Sequence, residues 1–142
     1  MNWRPSIGRK ARDRGATAVE FALVLPLLLL LVCGIIDFGR ALNAQITLTQ
    51  AAREGARLEA FGDPSATVQT RTAGAAPDLG GVNVTIAQTC APGAGPADNA
   101  RVNVSYSFTF ITPIGAIAGL LGGGGLGAPV VLTASGVMPC ET

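Results

Sequence analysis

The sequence predicts an α+β protein in which a long N-terminal transmembrane helix continues into a small antiparallel β-sheet ectodomain. Two observations lead to this fold class. Residues 16–36 form a run of 21 residues that is almost wholly apolar, and a helix needs about 20 such residues to cross a bilayer. Downstream, apolar and polar residues alternate strictly along residues 82–87 and 101–110, which is the pattern of strands with one buried face.

The first 14 residues are expected to be disordered or lightly structured, and they carry a cluster of positive charge. Asp13 is their only acid, whereas the rest of the chain holds five basic and eight acidic residues. A basic flank beside an apolar run keeps that end of a membrane segment in the cytoplasm. We therefore expect membrane lipid as a partner here and no nucleic acid. The basic residues of this segment are Arg4, Arg9, Lys10, Arg12 and Arg14.

The helix itself is predicted from Ala16 to about Phe61, as a transmembrane part and an extended spine. Pro26 should kink it, because proline removes a backbone donor and clashes with the preceding turn. Membrane helices tolerate such a residue. Gly62 then offers a C-terminal stop.

Two stripes of residues run along the spine part of this helix. Small residues let helices approach closely, so the first stripe suits either a neighbouring helix or the protein's own sheet, and the sequence leaves both interpretations open. The second stripe is more apolar and consists of Leu42, Ile46 and Thr49. The first stripe is Ala41, Ala44, Leu48, Ala52, Gly55 and Leu58.

Residues 62–142 are predicted to form the extracytoplasmic domain, with about three strands. Asp63 as cap and Pro64 as first helical residue predict a short helix that ends near Thr72. The third β-prone stretch, residues 129–137, has an ambiguous alternation. The glycine-rich segment 119–127 lacks the Lys and Ser or Thr of a phosphate loop. It is interpreted as a flexible connection or, with the apolar residues before it, as an exposed contact surface.

Cys90 and Cys140 are predicted to form a disulfide. Both follow β-prone stretches in the segment that we place outside the cytoplasm, where disulfides persist. The alternative is that both are free or that they pair between molecules. Cys33 lies in the apolar run and should remain a thiol within the membrane.

Catalytic and metal-binding patterns are missing from the sequence. The chain has no histidine, which removes the commonest general base and metal ligand. Its acids are scattered, often beside an arginine on the same helix, as Asp37 is with Arg40. The cysteines have no metal-ligand spacing. We therefore predict no enzyme, no metal site and no cofactor.

Glu20 is the one charged residue inside the apolar run. A charge at the bilayer centre costs about 2.5–3.5 kcal/mol on insertion scales, and less near an interface. Such a residue is by default functional and has a partner. The alternative is a tolerated interfacial glutamate with no role.

The stretch "RGATAVEFALVLPLLLLLVCGIIDFGRALNAQITLTQAAREGAR", residues 14–57, resembles the TadE-like family of minor pseudopilins of the tight-adherence (Flp, type IVb) pilus. In type IV prepilins a membrane peptidase cuts after a glycine that follows a basic leader. The resemblance implies that residues 1–15 are a cleaved leader, that Gly15 is its last residue and that Ala16 is the new N-terminus. Glu20 and Phe21 resemble the Glu-Tyr pair of the Flp subclass.

The family also implies partners and a location. These are the prepilin peptidase, a related pseudopilin, the Flp pilin and the pilus assembly platform of the inner membrane. The chain would be a single-pass inner-membrane protein, with its N-terminus in the cytoplasm and its ectodomain outside. In an assembly, the Glu20 carboxylate of one subunit would meet the Ala16 amine of its neighbour. The competing hypothesis is a small secreted or membrane-anchored extracytoplasmic binding domain unrelated to pili.

Overall fold

A computed structural model describes residues 9–120, 122 and 127–141 of the chain. It confirms the predicted α+β fold, with a long N-terminal helix followed by a three-stranded antiparallel sheet. The elements in chain order are α1 (Arg9–Ala60), α2 (Ser65–Gly74), β1 (Asn83–Gln88), β2 (Asn99–Phe108), α3 (Ile114–Leu120) and β3 (Val130–Pro139).

The helix α1 begins at Arg9, so the expectation of little structure before residue 15 was wrong for residues 9–14. Arg, Lys and Ala are good helix formers, and neither Gly nor Pro interrupts these six positions. The part of that prediction that concerns residues 1–8 lies outside the described residues. The helix continues through Pro26 as one element.

Gly62 ends α1 as the sequence predicts. Its φ of 76° is in the left-handed region, which glycine adopts without steric cost. The N–H of Gly62 donates to the carbonyl of Glu59 at 3.0 Å, and the N–H of Asp63 donates to the carbonyl of Leu58 at 3.2 Å. This pair of bonds is the Schellman arrangement that satisfies the last carbonyls of a helix.

The sheet has the strand order β1-β2-β3, and both pairings are antiparallel. Val104 of β2 is paired with Val84 of β1 on one side and with Ala134 of β3 on the other. The alternation predicted for β1 and β2 is confirmed: Val102 and Val104 of β2 are buried and Asn103 between them is exposed, and in β1 half-buried residues alternate with exposed ones from Asn83 to Ile86. In β3, whose alternation was ambiguous in the sequence, Leu132 and Ala134 are half-buried and Gly136 is buried, and the residues between them are exposed.

The sheet packs on the small-residue stripe of α1, which settles the open question about that stripe. Leu48, Ala52 and Leu58 form the core with Val68 of α2 and with Val102 and Val104 of β2. Backbones meet closely at Gly136, where an added Cβ would collide with the carbonyl oxygen of Ala52. Small residues at these positions therefore serve the protein's own sheet.

Two local predictions need correction. The N-cap of α2 is Pro64 rather than Asp63, with no side-chain cap bond, and the helix runs to Gly74; the fixed φ of proline suits the entry to a helix equally well one position earlier. The helix α3 was not expected, and it covers the first two residues of the predicted flexible connection 119–127. Residues 121 and 123–126 of that connection lie outside the described residues.

Candidate functional site

The sheet domain does not pack against most of the first half of α1, which we call the uncovered half. The most apolar stretch of α1 has no buried residue. By length and composition, α1 from Gly15 to Ala60 is long and apolar enough to cross a membrane. No second helix with these properties occurs in the described residues. This agrees with a single-pass membrane protein.

The four residues of the predicted processing and assembly site all lie in this uncovered half. Gly15, Ala16, Glu20 and Phe21 are helical and exposed. Glu20 follows Ala16 by four residues, which is about 6 Å along the helix axis. In the part of the chain that the structure describes, Glu20 has no ion-pair or hydrogen-bond partner. Its carboxylate is therefore available to a group outside this chain.

An apolar stripe extends from the uncovered half to beyond the predicted span. Phe38, Leu42 and Ile46 follow each other at four-residue steps, and Phe38 is 66% and Ile46 58% exposed. Glu20 precedes Phe38 by 18 residues, about five helical turns, so that an ideal helix places both on one face. We call Phe38, Leu42 and Ile46 the outer stripe. Beyond it the exposed positions of α1 become polar, at Gln50, Arg53 and Arg57.

Asp37 marks the point where α1 passes from its uncovered to its covered half. It is 1% exposed, although it follows the apolar run directly. Its Oδ1 accepts bonds from the Ile111 N–H at 3.3 Å and from Arg40 Nη1 at 3.1 Å. Its Oδ2 accepts bonds from the N–H of Thr112 at 3.3 Å and from the Thr112 hydroxyl. We call these residues the Asp37 junction.

The Asp37 junction satisfies a buried charge completely. A buried carboxylate is costly unless it is paired and hydrogen-bonded, and here four donors surround it. Arg40 also donates to the carbonyl of Thr109 at 3.5 Å, and its guanidinium lies 5.2 Å from the ring centre of Phe108. Sequence reasoning found only the local pair of Asp37 with Arg40. It missed the role of Asp37 as the link between α1 and the segment after β2.

An apolar groove lies beside this junction. It encloses about 340 Å³. The rings of Phe108 and Phe110, 5.4 Å apart and nearly perpendicular, form part of its wall. Its α1 side includes Leu30 and Gly34, which belong to the predicted span, and its opposite side includes Val130 and Leu132 of β3.

The far end of the domain is closed by a disulfide between Cys90 and Cys140, the pairing that the sequence predicts. The bond joins the segment after β1 to the segment after β3, across a sequence separation of 50 residues. Next to it, the N–H of Glu141 donates to the carbonyl of Ala60 at 3.0 Å. Cys33 is a free thiol and is half-buried.

Glu59 lies buried at this end, and sequence reasoning did not single it out. Burial raises the pKa of Glu59, and a hydrogen bond from the backbone N–H of Cys90 opposes that shift only in part. The second carboxylate oxygen, Oε2, is buried with no hydrogen-bond partner. The only signal in the sequence was an acid at a helical spacing from the buried residues of the stripe.

Metal-binding groups do not come together in the described residues: no three of their His, Cys, Asp and Glu side chains form a cluster.

Comparison with known proteins supports the resemblance found in the sequence. The family model described as TadE-like protein matches residues 15–57. No curated protein and no solved structure matches the chain. The matched segment contains Glu20, the outer stripe and Asp37. It lies wholly within α1 and ends before the first strand. Over residues 15–57, about a third of its length, the chain is therefore similar to TadE-like proteins, and the match does not extend to the sheet domain.

Proposed function

We propose that this protein is a pseudopilin that takes part in the assembly or initiation of a tight-adherence (Flp, type IVb) pilus. It is held in the inner membrane by α1, with its N-terminus in the cytoplasm and its sheet domain outside. Its partners are the prepilin peptidase, a related pseudopilin, the Flp pilin and the assembly platform. The proposal assigns it no catalytic role and no cofactor.

The observation behind this proposal is the outer stripe. Phe38, Leu42 and Ile46 lie beyond the apolar span, where lipid no longer covers the whole helix, and yet they stay exposed. Burying such side chains stabilises an interface by about 25 cal/mol per Å² of apolar surface. A neighbouring helix that packs along the stripe would provide this burial.

Glu20 gives that helix contact its position along the membrane. After cleavage behind Gly15, the Ala16 amine and the Glu20 carboxylate would lie about one turn apart on every subunit. An ion pair at low dielectric is favourable only when both charges are satisfied. One axial offset between neighbouring helices therefore pairs the amine of one subunit with the carboxylate of the other.

The experiment replaces Glu20 with Ala in cells that assemble the pilus. Insertion should be as good or better, because the cost of the charge disappears. The amount of protein and the Cys90–Cys140 disulfide should be unchanged, while co-purification with the pseudopilin and the Flp pilin falls and fewer pili form. The processed pool is selected by mass spectrometry of a peptide that begins at Ala16, so that slower cleavage does not confuse the result.

Glu54→Ala is the matched control, since it removes a carboxylate of the same helix that pairs with Arg57 away from the outer stripe. A processed Glu20→Ala variant that assembles pili like the parent would refute the role of Glu20. A mature N-terminus at or beyond Gln45 would show cleavage by a conventional signal peptidase. That result would favour a secreted binding domain unrelated to pili.

A further inference from the structure

The part of the sheet domain nearest the uncovered half of α1 has an unusual composition. From residue 102 to residue 140 the chain contains no Asp, Glu, Lys or Arg. This stretch includes most of β2, the helix α3 and the whole of β3. We call residues 106–120 and 127–132, which are described parts of the chain between the end of β2 and the start of β3, the β2–β3 arm. The surface of a water-facing connection normally contains charged residues, and this one has none.

The Asp37 junction fixes the level of the β2–β3 arm along α1. The N–H groups of Ile111 and Thr112 bind the carboxylate of Asp37, which is the first residue after the apolar run 16–36. The arm therefore turns at the height where the helix leaves the hydrocarbon layer.

The arm also extends along the span. The groove that it forms with α1 is lined by Gly34 and Leu30. Leu30 precedes Asp37 by seven residues, which is about 10 Å along the axis towards the bilayer centre. The helix α3 contacts α1 as well. Part of the arm thus lies beside helix turns that lipid would otherwise surround.

The outward side of the arm is apolar too. Ile111 is 66% and Val131 65% exposed, and Val130 is exposed beside them. In water these side chains would form an unfavourable patch at the base of the domain. In the interfacial region of a membrane the same side chains are favourable. The charge of Arg40 is directed to Asp37 and to the carbonyl of Thr109.

We propose that the β2–β3 arm inserts into the outer leaflet beside α1 and that a lipid acyl chain occupies the groove between Phe110, Val130 and Leu30. The protein would then be anchored in the membrane at two places, by the span and by the arm. Lipid is the occupant because the floor of the groove is part of the span itself. The proposal requires α1 to cross a membrane but does not depend on a role in pili.

The test measures the depth of single tryptophans in the full-length protein. Trp3 is first replaced by Phe. Ile111→Trp and Val131→Trp then place the only tryptophan on the arm, and Gln69→Trp, at an exposed position of α2, is the matched control. Each variant is reconstituted at high lipid-to-protein ratio in phosphatidylcholine vesicles, in which a fraction of the lipid carries bromine on its acyl chains. A retained Cys90–Cys140 disulfide shows that each variant is folded.

We expect the two arm variants to emit at shorter wavelength and to lose most of their fluorescence in brominated vesicles. Bromine near the headgroup should quench them more than bromine near the chain end, and the Gln69→Trp variant should be affected by neither. The proposal is overturned if both arm variants emit as in water and escape quenching. It is also overturned if their shielding appears only when the protein is concentrated in the bilayer, because a second copy of the chain would then cover the arm. Since the vesicles contain no pilus proteins, neither result depends on the proposed function.

Discussion

The two halves of α1 belong to one continuous helix but differ in what covers them. From Ala44 to Ala60 the helix presents alanine, glycine and two leucines to the sheet, and these residues are buried. From Phe21 to Ile36 it presents large apolar side chains, and most of them are exposed. Packing against the sheet domain therefore explains why the second half carries small residues. No described part of the chain covers the most apolar stretch of the first half, and its composition suits a membrane.

The largest effect on this comparison should come from removing the disulfide. In the Cys90→Ala, Cys140→Ala double variant, the unfolded state regains the freedom of a loop of about 50 residues, and the free energy of unfolding should fall by about 3–4 kcal/mol. Denaturant unfolding of the full-length protein in detergent micelles measures this. Membrane insertion of α1 should be unchanged. A domain that keeps its stability would contradict the assignment of the disulfide as a main support of the covered half.

The next effect compares one leucine from each half. Leu48 is fully buried, and Leu31 is exposed on the uncovered half. Leu48→Ala should lower the free energy of unfolding by about 3 kcal/mol, because a buried leucine loses its contacts and leaves a cavity. Leu31→Ala should change it by less than about 0.5 kcal/mol. The same micelle experiment measures both, and equal losses would show that the two halves are not independent.

The smallest effect concerns pH and Glu59. Burial raises the pKa of this carboxyl above its usual value, so the folded protein binds a proton more tightly than the unfolded chain does. Between the usual pKa and the raised one, the free energy of unfolding should therefore fall as the pH rises. In Glu59→Gln this slope should flatten, and stability at neutral pH should rise by about 1 kcal/mol, since the amide avoids burying a charge.

Thermal unfolding midpoints of both proteins across the acidic to neutral range test this prediction. Glu54→Gln, at a half-exposed position on the same helix, is the control and should leave the slope as it is. If Glu59→Gln is less stable at every pH, the carboxylate has a stabilising partner that outweighs its burial.

The parts of the fold that sequence predicted are those with a strong local period. The apolar run, the alternation of Val82, Val84 and Ile86, and the glycine stop at residue 62 each act over a few neighbouring residues. The disulfide followed from the position of two cysteines after β-prone stretches. Such signals do not depend on the rest of the chain.

The missed features depend on distant groups. Two of the four donors to Asp37 are backbone N–H groups 74 and 75 residues away, and every residue except proline has such a group, so no side-chain pattern predicts them. The helix α3 has a mixed composition of Ile, Ala and Gly and is supported by contact with α1. The fit of Gly136 against Ala52 depends on the register of β3, which the sequence left ambiguous. The roles of Gly15 and Glu20 stay predictions, because they concern groups that this chain does not contain.

The Asp37 junction also has a mechanical consequence. A helix with no break from Gly15 to Ala60 has no hinge at the membrane surface, and the bonds from Ile111 and Thr112 prevent the sheet from sliding along it. Tilt or rotation of the span is therefore passed rigidly to the whole domain. If α1 crosses a membrane, a pull on the domain along the helix axis would act directly on the residues of the span.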